Sequence, residues 1–143
     1  MLGFVAAGML RGDHPQTTVE QLVAYTGVDP HPLVVDVRTP EEFQADHIRG
    51  AVNRPIDSLR SVSDDLPRDR PIIAYCEVGQ RGYLATRILM QRGFDATNLN
   101  GGFRTYQAYR ATGAILAEPS GAEAVSANGN QKRKCACGKQ CKS

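Results

Sequence analysis

Cys76-Glu77-Val78-Gly79-Gln80-Arg81-Gly82 is the stretch of this 143-residue chain whose residue types can do chemistry. A thiol, two glycines and a guanidinium stand within it, between an apolar run from Pro71 to Tyr75 and a helically spaced segment from Arg81 to Arg92. A cysteine so placed sits at the carboxyl end of a buried strand, where open α/β sheets bind their ligands. A short loop folding over Cys76 aims successive backbone N–H groups inward, and the following helix adds its N-terminal dipole. Both effects favour an anion, so both favour a thiolate nucleophile. Gly79 and Gly82 allow the backbone angles of such a cradle, and Glu77, Val78 and Gln80 complete the candidate substrate-binding loop. Arg81 is the loop's cation, placed either to clamp an anionic substrate or to lock the loop.

Other polar residues read as support. Asp36 and Arg38, at the end of an earlier strand, form an ion-paired scaffold, with Arg38 placed to pair with Glu41 or Glu42. His47 reads as a structural hydrogen bond at a helix end, because a thiolate held by a loop needs no general base. Asp46 and Glu42 read as solvated helix charges. Phe103 and Tyr106 pack the last helix, with Phe103 also available to line a pocket mouth, and Tyr83 can do either.

The elements that must position this loop alternate along the chain. Leu33 to Val37 and Pro71 to Tyr75 are continuous apolar runs, as expected of strands covered on both faces. Ala51 to Asn53 and Thr97 to Leu99 read as shorter strands. Thr18 caps a short helix stopped by Gly27, and Thr39-Pro40-Glu41-Glu42 opens another with N-cap, proline and first-turn acids in order. Ile56 to Leu66, Arg81 to Arg92 and Phe103 to Tyr109 are the remaining helices. This alternation predicts an α/β fold: a doubly wound, mainly parallel sheet of about five strands with helices on both faces. Residues 1–12 read as a short amphipathic helix or linker, 13–116 as the domain, and 117–143 as a flexible extension.

At this point the sequence resembles the rhodanese-like sulfurtransferases over roughly Thr17 to Tyr109. Leu33-Val34-Val35-Asp36-Val37-Arg38 with Pro40-Glu41-Glu42-Phe43, His47 to Asn53, Cys76 to Arg81 and Gly101-Gly102-Phe103 carry the resemblance. It implies that Cys76 takes a sulfur from thiosulfate or a persulfide as its own persulfide. That sulfur then passes to a thiol or cyanide acceptor, with no metal or organic cofactor. Dual-specificity phosphatases of the same fold place five residues between Cys and Arg; here there are four, which suits sulfur better than phosphate. Glu77 offsets Arg81 in this reading, so a near-neutral loop is expected to prefer a low-molecular-weight persulfide or polysulfide to dianionic thiosulfate. Cys76-x-Val78-Gly79-x-Arg81-Gly82-Tyr83 and residues 3–12 further resemble the rhodanese domain fused to flavin-dependent CoA-disulfide and persulfide reductases. No Gly-rich dinucleotide fingerprint is present, so the flavin would belong to a reductase partner. The chain reads as a domain excised from a larger protein or a gene descended from one. A different class of function is a sulfur-receiving accessory module with little turnover of its own.

The formal net charge of +2 divides unevenly. Lys132, Arg133, Lys134, Lys139 and Lys142 crowd the last 13 residues, which hold no acid, while the other 130 hold twelve Arg against fifteen acids. The domain is therefore acidic, and the spread basic face that a nucleic-acid reader needs is missing. No apolar run approaches the roughly 20 residues of a membrane span, and no basic stretch precedes the N-terminal apolar run as in a secretory signal. Cys135, Cys137 and Cys141 share the basic tail. They are metal-ligand candidates lacking a fourth ligand, thiols able to receive sulfur from Cys76, or parts of a plain solvated extension. Exposed thiols of this kind stay reduced in a cytoplasmic setting.

Overall fold

A computed structural model describes residues 14–25 and 30–113. In chain order these form β1 (Gln16–Thr17), α1 (Val19–Ala24), β2 (Leu33–Asp36), α2 (Pro40–Ala45) and β3 (Val52–Asn53). There follow α3 (Leu59–Val62) with a 3-10 turn at Ser63–Asp65, β4 (Ile72–Tyr75), α4 (Gln80–Gln91), β5 (Ala96–Leu99) and α5 (Gly102–Ala111). The strands make one sheet in the order β1-β5-β4-β2-β3, and every pairing is parallel.

Strand β4 lies at the centre, with Val35 beside Ala74 on one flank and Thr97 beside Ile73 on the other. Alternate residues of a strand face opposite sides of a sheet, and β4 divides accordingly. Ile72, Ala74 and Cys76 join Val35, Leu59, Ala85 and Leu89 in one core layer. Ile73 and Tyr75 join Val19, Ile48, Leu99, Phe103 and Tyr106 in the other. Thus α3 and α4 cover one face, and α1 and α5 cover the opposite one. Because Cys76 keeps phase with Ile72 and Ala74, its thiol leaves the sheet toward α4. The expected doubly wound α/β architecture is present, with five strands among the described residues.

Local signals explain most boundaries. Thr18 and Thr39 both close capping boxes, with Gln21 and Glu42 as their partners, and Pro40 occupies the first turn of α2. The helix expected over 56–66 is a correction: only Leu59–Val62 is α-helical, followed by the 3-10 turn. Its serines donate backwards, Ser58 Oγ to Pro55 O at 3.1 Å and Ser61 Oγ to Ser58 O at 2.7 Å. Such hydroxyls compete with the helical ladder for the same carbonyls. β1 was not expected; two residues after Pro15 pair with β5, and Thr17 Oγ1 meets Thr97 Oγ1 at 2.7 Å. The expected N-terminal helix, the Gly27 stop and the 117–143 extension with its three cysteines lie outside the described residues.

Candidate active site

Cys76 follows the last residue of β4 and is 1% exposed. Glu77 and Val78 cross to Gly79, which takes a left-handed φ of 99° as the N-cap of α4. This turn brings the Gly79 N–H to 3.2 Å from Cys76 Sγ. The amides of Gln80, Arg81 and Gly82, the first turn of α4, have no protein acceptor among the described residues. One amide therefore already donates to the sulfur, and the beginning of a 12-residue helix leaves further donors beside it. The Asn98 side chain in β5 holds the turn from below: Nδ2 donates to Gly79 O at 3.2 Å, and Oδ1 is buried without a partner against Gly82.

The loop is fastened at its other side by α5. Phe103 N–H donates to Cys76 O at 2.7 Å and Arg104 N–H to Glu77 O at 3.1 Å. Two otherwise orphaned first-turn donors are thereby satisfied by the carbonyls of the loop. Backbone meets backbone so closely that a Cβ on Gly102 would collide with Cys76 O and stand 2.8 Å from Glu77 O. This is the physical content of the Gly101-Gly102-Phe103 string.

The charges pair differently from expectation. Arg81 grips Glu42 at the start of α2 with two hydrogen bonds of 2.8 Å each, so Glu42 is no solvated helix charge. The Arg81 hydrogen bonds hold the Glu42 carboxyl down to about 2, and the same bonds raise Arg81 above its ordinary value, with the nearby Cys76 contributing in the same direction. Arg38 pairs with neither Glu41 nor Glu42. Its buried guanidinium donates to Asp36 at 2.8–3.1 Å, to Asp46 O at 2.7 Å and to Glu77 at 3.2 Å, and lies 4.1 Å from the Phe103 ring centroid. Glu77 thus offsets Arg38, with Arg104 at 4.0 Å, rather than Arg81. Asp46 is likewise engaged, by Arg110 at 2.7 Å. The Arg38–Glu77, Arg81–Glu42 and Arg110–Asp46 pairs join residues 39 to 64 positions apart, which local spacing does not disclose.

Several expectations for side chains match their positions. Asp36 and Arg38 are an ion-paired scaffold, and His47 Nδ1 bonds Phe43 O at 2.9 Å with its ring stacked on Phe43. Phe103 and Tyr106 are buried in the core. Tyr83 stands edge-on to His14, 4.5 Å between centroids. Of the loop, Val78 is 54% exposed and forms its outer lip. Asn98, Gly102 and the partner role of Glu42 were not anticipated; the Gly-Gly string was the available signal for the second. No cluster suited to a metal ion occurs among the described residues.

Residues 18–109 match the family model described as "Rhodanese-like domain". The chain belongs to that family. This rhodanese-like domain is 38% identical over 71 residues to a protein named "Sulfurtransferase" from Allochromatium vinosum, covering 49% of this chain and 66% of that one. In structure it is similar to reduced Bacillus anthracis CoADR-RHD, with a TM-score of 0.68 and 31% identity over 78% of this chain and 20% of the other. It is also similar to an NAD-dependent persulfide reductase from A. fulgidus, with a TM-score of 0.62 and 30% identity over 73% of this chain and 18% of that one. The likeness to rhodanese domains of reductases, expected from the loop, is therefore found. The match spans 15%, 59% and 66% of the length of three curated relatives. No helix among the described residues is long and apolar enough to cross a membrane.

Proposed function

We propose that this rhodanese-like domain is a sulfurtransferase that carries sulfane sulfur on Cys76. The observation that carries the reading is the Cys76 thiol at the end of β4, receiving the Gly79 amide beside the unpaired first-turn amides of α4. Cys76 thiolate attacks the outer sulfur of a donor RSSH; the donor's S–S bond breaks and RS⁻ leaves, giving a Cys76 persulfide. An acceptor thiolate then attacks that outer sulfur, and the bonding pair returns to Cys76 as thiolate. The transfer is split into two displacement steps and needs no oxidant, metal or organic cofactor. The loop amides receive the charge on the bound sulfur, and Arg81 holds the loop to α2.

The ion pairs favour a small persulfide or polysulfide as donor over thiosulfate. Both guanidiniums flanking the loop already face carboxylates, Arg81 with Glu42 and Arg38 with Asp36 and Glu77. A dianion must displace one of them, whereas a persulfide need not. The acceptor is a small thiol. Its setting is the cytoplasm, where a flavin-dependent disulfide or persulfide reductase is the partner that the structural likenesses suggest. Those larger proteins also favour a second reading, an accessory domain that receives sulfur and turns over slowly alone.

Mass spectrometry of the full chain after treatment with glutathione persulfide tests the central claim. One added sulfur atom on Cys76, absent from Cys76→Ser, is the expected result; an unmodified Cys76 overturns it. Steady-state cyanolysis then separates the enzyme from the slow accessory.

A further inference from the structure

One face of α4 and the segment following β3 line an open cavity of about 640 Å³. Small-molecule sites occupy roughly 300–1,000 Å³. Its floor is apolar, and Leu84, at 49% exposure, is among the most exposed large apolar side chains described. Its walls carry four arginines against one acid, Asp57. Two of the arginines, Arg38 and Arg81, are held by carboxylates as described above. The other two, Arg60 and Arg87, form no ion pair among the described residues. The charge of Arg87 is felt nearby: after burial, it is the second cause holding the His14 imidazole below its ordinary pKa.

The cavity and the candidate nucleophile's loop have Arg81 in common. Arg81 lines the cavity and stands in the first turn of α4, directly after the Cys76 loop, so the cavity adjoins the loop through that residue. Arg87 stands six residues further along α4, about 9 Å at 1.5 Å of rise per residue. Arg60 reaches the same space from α3. Along α4 from Arg81 the cavity wall thus carries Leu84, Arg87 and Ile88, with Arg60 contributed by α3.

We propose that this cavity binds the body of an organic thiol or thiol persulfide that carries a carboxylate or phosphate. Arg60 and Arg87 take the anionic group, Leu84 and Ile88 take the linking atoms, and the sulfur is directed to the Cys76 loop. The inference rests on sulfur carriage by Cys76 for its purpose but not for its binding claim. It names an organic, anionic thiol as the substrate class that the cavity would favour. Charge–charge recognition of this kind adds to affinity and weakens with salt.

The test uses the full chain and sulfur-blocked probes, so that binding is read without transfer. S-methylglutathione presents carboxylates, S-methyl-coenzyme A presents phosphates, and 2-(methylthio)ethanol is the neutral control. Calorimetric titration of the native chain and of the double variant Arg60→Gln/Arg87→Gln gives the affinities. At least one anionic probe is expected to bind the native chain more tightly than the control and to lose about tenfold in the variant, a difference of about 1.4 kcal/mol. Which probe does so tells carboxylate from phosphate. The ratio of kcat/KM for the matching free thiol to that for 2-mercaptoethanol falls by a similar factor. Binding of both anionic probes no tighter than the control, or equal losses for charged and neutral probes, overturns the proposal. If the probes bind as expected but Cys76 never takes up sulfur, the proposed function fails and the site stands. If Cys76 takes up sulfur while binding ignores Arg60 and Arg87, the site fails and the function stands.

Discussion

Replacing Gly102 with alanine tests how the Cys76 loop is held. Gly102 has φ of 61° and its neighbours' amides bond Cys76 O and Glu77 O at 2.7 and 3.1 Å. An alanine in this left-handed conformation costs roughly 1 kcal/mol. Its Cβ would also overlap Cys76 O and lie 2.8 and 2.9 Å from the oxygen and carbon of the Glu77 carbonyl. Ordinary contact begins at 3.4 Å, so α5 must retreat from the loop by a substantial fraction of an ångström. A retreat of that size stretches both hydrogen bonds toward or past their useful range, at about 1 kcal/mol each. The sum is roughly 3 kcal/mol, which lowers Tm by on the order of 10–20 °C for a domain of this size. Gly93→Ala is the control: φ is 81° and its nearest neighbour is Arg68 Nη1 at 3.7 Å, so it incurs the backbone cost alone. Thermal unfolding of both variants followed by circular dichroism separates the two contributions. Sulfur-transfer rates should fall further in Gly102→Ala, because a misplacement near 1 Å at a reacting group can cost about a hundredfold. Equal Tm values for the two variants, with equal rates, would refute the claim that α5 clamps the loop by close backbone approach.

The ion pairs around the loop yield further expectations. Glu42 is held at about 2 against an ordinary 4.5, so the stability it adds is full above pH 4.5 and is lost as pH falls toward 2. Because the pair is a third exposed, its worth is about 1 kcal/mol after screening, and urea unfolding of Glu42→Gln should show that deficit at pH 7 and little of it near pH 2. A deficit independent of pH assigns the effect to something other than charge. The same variant frees Arg81 and should raise the thiosulfate-to-persulfide ratio of kcat/KM; an unchanged ratio removes ion pairing as the reason for donor choice. Arg38→Met strands the fully buried Asp36 carboxylate and is expected to cost about 3–5 kcal/mol in chemical denaturation, partly restored by adding Asp36→Asn. A cost under about 1 kcal/mol would show that the guanidinium does not compensate that buried charge.

What was legible in the sequence was what short spacing encodes. Thr39, Pro40 and Glu42 fall within four residues and announce a helix start; the unbroken Ile72–Tyr75 run announces a strand covered on both faces. The Cys76–Arg81 loop was legible for the same reason, since thiol, glycines and cation are contiguous. Pairing over long separations was not. Arg38 looks well placed for Glu41 or Glu42 along the chain, yet Glu42 meets Arg81 of α4 instead. Glu77 looks like the neighbour of Arg81, yet the turn at Gly79 sends the two side chains to different partners. Ser58 and Ser61 are a local signal of the opposite kind: their hydroxyls take carbonyls of the ladder, and the helix expected over 56–66 is cut to Leu59–Val62.

These pairings change how the loop must select its sulfur. Had Arg81 been free, its full charge would face any anion arriving at Cys76, and small dianions would gain most. With Arg81 bound to Glu42, and Arg38 bound to Asp36 and Glu77, the flanking side chains present little net charge to the site. What remains for an anion at the sulfur is backbone: the Gly79 amide and the first turn of α4. Backbone dipoles act within a turn of the helix and stabilise a charge located there, with little reach into solvent. If Cys76 carries sulfur as proposed, discrimination among donors falls to groups farther out, and among the residues lining the adjoining cavity the arginines without an ion pair are Arg60 and Arg87. Holding the sulfur with amides and the substrate's body with distant cations separates the reactive step from recognition. Under the two proposals made above, the loop stays neutral while the cavity selects the thiol.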